Sequence, residues 1–271
     1  MRILIAIHDP SNIEQTLHFA AQFTRCMDET SVVLAVLEDS RRPSRVGDLM
    51  GQAGDILGIP NIQTHLRVGD PVRQILMETN QAQYDLLVVG ESQAQHGLSI
   101  LPREDICRKL VEHAACPVVV VKGAARQVRR ILLCDSGAEN SVLSRFTANL
   151  AELLEGEEDV TVLHVMSQIT AGPSVSDKQL RADVQELIAE NAPEGQLLDQ
   201  DVKLLGRPGI HAAPKVRHGL VVDEIVDEAR AGDYDLVVIG AHRVQGWQRY
   251  LLDDLTHKIL ANIDRPLLVV R

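Results

Sequence analysis

Short runs of valine, isoleucine and leucine recur along the chain without alternating polar positions. Such runs are typical of strands that are buried on both faces of a parallel sheet. They predict two sheets of five strands each. In the first half of the chain the runs are residues 2–7, 32–37, 62–67, 85–89 and 117–121, and in the second half 130–134, 159–165, 215–218, 235–239 and 266–270.

Helical patterns separate these strands. Ser11 and Glu14 have the spacing of a capping box, and Asp70 before Pro71 predicts an N-cap followed by a first-turn proline. The predicted inward faces are Ile13, Leu17, Ala20 and Ala21 in the first helix, Val72, Ile75 and Leu76 in a later one, and Val222, Ile225, Val226 and Ala229 in the second half. Alternating strands and helices predict two tandem doubly wound α/β domains with mostly parallel, Rossmann-like sheets.

The second half of the chain repeats the first in the same order. Leu86-Leu-Val-Val-Gly90 recurs as Leu236-Val-Val-Ile-Gly240, and the apolar run after Pro117 recurs after Pro266. The spacing between matching segments grows from 128 to 150 residues, so the second copy carries an insertion. The predicted domains are residues 1–123 and 130–271, joined by a linker at 124–129, with the insertion around 168–214 and a helix within it at 176–190.

Composition excludes several classes of protein. The 271 residues are 45% hydrophobic and 24% charged, which is ordinary for a globular protein and excludes a disordered chain. The net charge of -11 and the aromatic content of 3% disfavour a general binder of nucleic acid or of anionic membranes. The four cysteines show no paired spacing, which predicts reduced thiols in a cytoplasmic protein, and no apolar segment is long enough to span a membrane.

An ordered set of motifs connects the chain to a known family. The motifs are Arg67-Val-Gly-Asp-Pro71, Tyr84-Asp-Leu-Leu-Val-Val-Gly90 and His113-Ala-Ala-Cys-Pro-Val-Val-Val-Val121, followed in the second copy by Tyr234-Asp-Leu-Val-Val-Ile-Gly240 and Arg265-Pro-Leu-Leu-Val-Val270. With this set, the chain resembles the universal stress protein family in its tandem two-domain form. The resemblance implies an adenine nucleotide alpha hydrolase-like fold in each domain. It also implies that the domains pair about a pseudo two-fold axis through strands 117–121 and 266–270.

The expected binding sites lie beyond the carboxyl ends of the strands, where the strand order reverses. The resemblance implies that ATP-binding members hold phosphate with a glycine-rich loop that ends in Gly-Ser at a helix N-terminus. Both copies depart from that loop, because acidic pairs replace the Gly-Ser and the second glycine is missing. The predicted site residues are Asp9, Gly90, Gly97, Glu104 and Asp105 in the first copy and Asp135, Gly240, Arg243, Gly246, Asp253 and Asp254 in the second.

The acidic pairs lower the expected affinity for ATP. A carboxylate ~4 Å from a phosphate charge costs ~1 kcal/mol in water and ~4 kcal/mol at an effective dielectric of about 20. A loss of roughly two or more orders of magnitude in affinity follows. Helices predicted from Ile106 and from Leu255 place the carboxylates at helix starts, where they cap free amides. No cofactor is expected, although a divalent cation that bridges carboxylate and phosphate would reverse the argument and leaves weak ATP binding open.

Other polar residues have two interpretations each. His8 and Asp9 fit either a ligand contact or the polar end of a strand, and Asp135 fits either the pocket or the strand end. Cys107 and Cys116 fit core thiols better than redox sensors. The remaining histidines and serines show neither metal-binding spacing nor a nucleophile elbow, so no catalytic or metal-binding residue is predicted.

Together these observations predict a non-enzymatic cytoplasmic stress-response protein of two fused, paired domains that binds a protein partner or a small ligand. The alternative is a nucleotide-binding member of the same family with weak or slow ATP hydrolysis, which would need an intact phosphate loop in one copy. An adenylating enzyme would need a catalytic signature in the first loop, where His8-Asp-Pro-Ser11 is too short a match. The prediction includes no nucleic-acid or membrane partner and leaves a homodimer open.

Overall fold

The chain divides into two compact units in the computed structural model. The first comprises Met1–Gln127 with Pro266–Val269, and the second comprises Val128–Arg265 with Val270–Arg271. The structure describes residues 1–24, 32–37, 51–59, 62–92, 106–124, 126–135, 146, 153, 157–166, 184–190, 192–206, 208–240 and 248–270.

The first unit is built on a parallel sheet. Its strands are β1 (Ile3–Ile7), β2 (Val32–Leu37), β3 (Gln63–Val68), β4 (Leu86–Gly90) and β5 (Val118–Val121). They lie in the order β3-β2-β1-β4-β5, so the strand order reverses beside β1. In the same unit, β10 (Leu267–Val270) pairs antiparallel with β5, and Leu268 lies opposite Val119. The helical elements are a 3₁₀ turn at Pro10–Asn12, α1 (Ile13–Thr24), a helical stretch at residues 51–57, α2 (Pro71–Gln81) and α3 (Ile106–His113).

The second unit repeats this parallel arrangement. Its strands are β6 (Arg130–Asp135), β7 (Asp159–Met166), β8 (His211–His218) and β9 (Leu236–Gly240), in the order β9-β6-β7-β8. Its helices are α4 (Val184–Ala189), α5 (Pro193–Leu204), α6 (Val221–Ala231) and α7 (Gln248–Asn262). The mostly parallel α/β fold predicted from the apolar runs is therefore confirmed.

Burial explains why the strand runs lack polar alternation. Every residue of β1, β4 and β5 is buried, because helices cover both faces of the central strands. The predicted inward face of α1 is also buried, and Ile13 and Leu17 are at most 1% exposed. Cys107 and Cys116 are buried as predicted for core thiols. Among the described residues, no helix is long and apolar enough to cross a membrane.

Three local predictions were wrong. Ser11 is not an N-cap but lies inside the 3₁₀ turn Pro10–Asn12 before α1, and Asp9 caps that turn, because its carboxylate accepts a hydrogen bond from the Ser11 backbone N–H. Strand β8 begins at His211 rather than at residue 215, since Pro214 is tolerated on an edge strand that needs no donor at that position. Helix α7 begins at Gln248, so the acidic pair predicted to precede a helix from Leu255 lies inside α7.

The insertion contains more helix than the sequence pattern indicated. Part of the helix predicted at residues 176–190 is present as α4, while residues 167–183 lie outside the described part of the chain. Helix α5 was not predicted. It packs closely against α4 at Gly195, where an added Cβ atom would lie 2.4 Å from the carbonyl carbon of Leu187.

Candidate functional site

In the first copy, the carboxyl ends of β1 and β4 lie side by side, and Asp9 is at their junction. The Ser92 hydroxyl donates to Asp9 Oδ2 at 2.7 Å. The Ser11 backbone N–H and hydroxyl donate to Asp9 Oδ1 at 2.9 Å and 2.8 Å. Burial opposes ionisation of Asp9, but these hydrogen bonds outweigh it and hold the pKa of Asp9 below its usual value. Asp9 is therefore a charged carboxylate whose two oxygens are already bonded within the chain.

The adjoining loops are joined by further contacts. Asn12 Nδ2 donates to the Glu91 carbonyl oxygen at 2.8 Å, and Lys122 Nζ lies 2.7 Å from Glu91 Oε1. Gly90 allows this close approach, because an added Cβ atom would lie 2.3 Å from Thr16 Oγ1 and 2.7 Å from Asn12 Nδ2. The absence of a side chain at Gly90 thus serves the packing of the helix start against the end of β4.

His8 completes the cluster but is not placed as a general base. Its Nε2 atom lies 3.4 Å from Ser92 Oγ, and its buried Nδ1 atom has no hydrogen-bond partner among the described residues. Burial lowers the pKa of His8, with Asp9 partly opposing this, which favours the neutral ring. A hydroxyl has one proton to donate in a hydrogen bond, and the Ser92 hydroxyl donates it to the Asp9 carboxylate. In this geometry Ser92 is not activated as a nucleophile by His8.

In the second copy, Asp135 ends β6 and is buried. The parallel register places Asp135, His164 and Val216 in one row across β6, β7 and β8. The Asp201 side chain, from α5, is also buried and lies near Asp135. Burial and the adjacent Asp135 raise the pKa of Asp201 to about 8. Asp201 is therefore protonated more readily than an exposed aspartate.

Sequence reasoning identified Asp135 but missed Asp201. The signal was present, because Asp201 lies three residues after Leu198 and four before Leu205, at the spacing of one helix face. Leu198 and Leu205 are at most 1% exposed, so that face is the buried one. A carboxylate on an otherwise apolar helix face indicates a buried polar partner.

No metal centre accompanies these carboxylates in the described part of the chain. There, no group of three histidine, cysteine, aspartate or glutamate side chains is arranged to bind a metal ion.

Comparison with known proteins identifies the family of this chain. The sequence profile of the universal stress protein family matches residues 1–122 and again residues 127–271. The chain belongs to this family. Universal stress protein MJ0531 from Methanocaldococcus jannaschii is 23% identical over 154 residues, which are 56% of this chain and 87% of that protein.

Two solved structures show the same fold over the whole chain. A universal stress protein from Archaeoglobus fulgidus aligns with a TM-score of 0.62 at 14% identity, covering 99% of this chain and 96% of its own. A Pseudomonas aeruginosa protein assigned to the universal stress proteins aligns with a TM-score of 0.64 at 17% identity, covering 99% of this chain and 92% of its own. The family resemblance and the Rossmann-like fold inferred from the motifs are confirmed.

Only some of the predicted site residues of this universal stress protein lie in the described part of the chain. Gly90 and Gly240 end β4 and β9, and Asp9 and Asp135 stand at the ends of the first strands of the two copies. Asp253 and Asp254 lie within α7, where their side chains are outside the described part of the chain. The other predicted residues, which also lie outside it, are Gly97, Glu104, Asp105, Arg243 and Gly246.

Proposed function

We propose that this universal stress protein is a non-enzymatic cytoplasmic stress-response protein that acts by binding a protein partner or a small ligand. The proposal rests on one observation. In the first copy, the carboxylate at the end of the first strand is bonded by the chain's own side chains, and in the second copy it is buried near another carboxylate. The Ser11 and Ser92 hydroxyls donate to Asp9, and Asp201 is the carboxylate near Asp135. A nucleotide in the first crevice would have to displace the hydrogen bonds of Asp9, and a nucleotide in the second would have to approach two acidic side chains.

The sequence of the phosphate loops supports the same proposal. Acidic pairs stand where ATP-binding members of the family have Gly-Ser, at 104–105 and at 253–254. Negative side chains near the expected phosphate positions repel the ligand unless a cation bridges them. We also propose, from the family resemblance alone, that the two domains pair about a pseudo two-fold axis. Nucleotide binding with slow hydrolysis is the competing function.

Titration calorimetry of the full chain with ATP, with and without magnesium, tests the proposal. We expect no binding stronger than a Kd of about 1 mM, which corresponds to about -4 kcal/mol. Mass spectrometry of the supernatant from denatured protein should find no co-purified nucleotide. Micromolar ATP affinity without metal, or stoichiometric nucleotide in the supernatant, would overturn the proposal and favour the nucleotide-binding alternative.

A further inference from the structure

The second unit has a pocket at the amino ends of its strands, at the far end of the sheet from its crevice. The pocket has a volume of about 270 Å³ and lies where β6, β7 and β8 begin. Pockets for drug-sized ligands have volumes of about 300–1,000 Å³, so this one suits a smaller molecule. Its polar and aromatic lining residues are Arg130, Asp159, Thr161, His211 and Tyr234.

The register of the strands places the polar side chains of the pocket on one face of the sheet. Arg130, Asp159 and His211 form one row across β6, β7 and β8. Thr161 and Ala213 lie opposite each other two residues further along. Because residues two apart on a strand point to the same face, the charged row and the Thr161 hydroxyl are neighbours, and Ala213 leaves space beside them.

Tyr234 forms a wall of the pocket on that face. Lys215, two residues after Ala213 on β8, and the Tyr234 hydroxyl both donate to Glu228 of α6, at 2.8 Å and 2.9 Å. The Tyr234 ring therefore lies against the face that carries the charged row. The Arg130 guanidinium carbon is 5.7 Å from the centroid of this ring, within the range of a cation–π contact.

The charge of Arg130 is not neutralised by a carboxylate in the described part of the chain. The acidic residues near it in the fold are engaged elsewhere. Glu157 binds Arg129, and Asp235 accepts hydrogen bonds from the backbone N–H groups of residues 129 and 130. The guanidinium of Arg130 is therefore available to a ligand, and its planar fork matches a carboxylate with two parallel hydrogen bonds.

Asp159 supplies the opposite charge in the same row. Its Oδ1 atom is 3.8 Å from His211 Nδ1, which is too far for a hydrogen bond, and the two side chains are 72% and 82% exposed. Neighbouring strands lie about 4.8 Å apart, so Arg130 and Asp159 stand side by side at the mouth of the pocket. The pocket thus offers one positive and one negative group to the same small molecule.

The first copy has the stacked arginine without the same space. There, Arg2 stacks on a tyrosine at 4.7 Å. The register places Val32 and Gln63 of that copy at the positions of Thr161 and Ala213. Valine has no hydroxyl, and glutamine is much longer than alanine. The stacked arginine is therefore common to both copies, whereas the hydroxyl and the space beside it belong to the second.

We propose that this pocket binds a small zwitterion, such as a free neutral amino acid, through a carboxylate and an ammonium group. Arg130 binds the carboxylate, Asp159 binds the ammonium group, and the Thr161 hydroxyl donates to the carboxylate. A simple anion would be repelled by Asp159 and a simple cation by Arg130, so only a ligand with both charges gains from both residues. The site is separate from the crevices at the carboxyl ends of the strands and goes beyond the proposed function.

NMR titration of the isotope-labelled full chain tests the site, with L-alanine, L-serine and L-leucine as probes. Propionate and ethylamine, each of which keeps one of the two charges of alanine, serve as reference compounds. We expect at least one amino acid to shift the amide signals of residues 130–132, 159–161 and 211–213. Each reference compound should bind at least about tenfold more weakly, because it lacks one charge-assisted hydrogen bond.

Variants assign the binding to individual side chains. Arg130→Gln and Asp159→Asn should each lower the affinity for the amino acid by at least about tenfold. Ala213→Gln introduces the side chain of the first copy and should abolish the shifts by filling the pocket, without a change of charge. Arg2→Gln is the matched control, because it removes the stacked arginine of the first copy, and it should leave the affinity unchanged.

Failure of all three amino acids to bind with a Kd below about 10 mM would overturn the proposal, and this result needs no variant to fold. Propionate binding as tightly as the best amino acid would also overturn it, because the ammonium group would then contribute nothing. An equal loss of affinity in Arg2→Gln and Arg130→Gln would contradict the location of the site. ATP binding in a crevice contradicts the proposed function alone, whereas absence of amino-acid binding contradicts this pocket alone.

Discussion

The Tyr234 hydroxyl donates a hydrogen bond of 2.9 Å to Glu228, a carboxylate that is only 1% exposed. The first copy repeats the relationship, with Tyr84 donating to Glu78 at 2.8 Å. Each carboxylate also binds cations from the edge strand of its own sheet. The two copies thus share a buried ion network that ties a helix to the sheet, in addition to their apolar core.

Removing the hydroxyl of this network should destabilise the second unit. We expect Tyr234→Phe to lower the free energy of unfolding by about 1.5–3 kcal/mol, because a buried carboxylate loses a donor. Urea unfolding followed by circular dichroism measures the change. A double-mutant cycle with Glu228→Gln provides the control, since the effect of Tyr234→Phe should shrink when the charge is absent. Equal effects in both backgrounds would contradict the coupling.

The same network should make the free energy of unfolding depend on pH in the acidic range. Burial opposes ionisation of Glu228, but hydrogen bonds from Lys215, Tyr234 and Arg217 outweigh it and lower its pKa. The stabilisation is therefore present above its ordinary pKa of 4.5 and is lost as pH falls through the lower folded value. Glu228→Gln should flatten this part of the stability profile. Asp227→Asn, which changes an exposed neighbour on the same helix, should not.

In the first crevice, Ser92→Ala should raise the pKa of Asp9 towards its usual value. The variant removes one of the hydrogen bonds that favour the charged carboxylate. The loss of stability relative to the wild type should be greatest at neutral pH and should disappear as pH falls through the folded pKa. A carbon-detected NMR titration of Asp9 checks the shift. Ser11→Ala should act in the same direction, and an unchanged pKa in both variants would contradict the proposed hydrogen-bond cause.

The contact between the insertion helices should be sensitive to a single methyl group. Gly195→Ala places a Cβ atom 2.4 Å from the carbonyl carbon of Leu187, so we expect a loss of about 1–3 kcal/mol through overpacking. Gly51→Ala is the control, because a Cβ atom there meets nothing within 4 Å in helical residues 51–57. It should be neutral or stabilising by up to about 1 kcal/mol. Thermal unfolding of both variants separates steric overlap from the general effect of replacing glycine.

The amino-acid sequence by itself determined the strands, the repeat and the family. Fully buried parallel strands need apolar residues on both faces, so the run at 86–89 is recognisable without knowledge of its neighbours. The Asp70–Pro71 helix start is equally local, because its cap bond joins Asp70 to the Arg73 backbone N–H only three residues away. Matching motifs in the same order then established the tandem organisation.

Only the tertiary structure decided which groups lie beside the carboxylates at the strand ends. Asp9 meets Ser92 from a strand end far along the chain, and Asp135 meets Asp201 from a helix that the sequence pattern did not predict. In a sequence, an aspartate looks the same whether it faces water or a buried partner. The local pattern indicates which positions are buried, but it does not indicate which side chain a buried residue contacts. The chemistry of both crevices arises from such long-range pairs, and their geometry exists only once the sheets have formed.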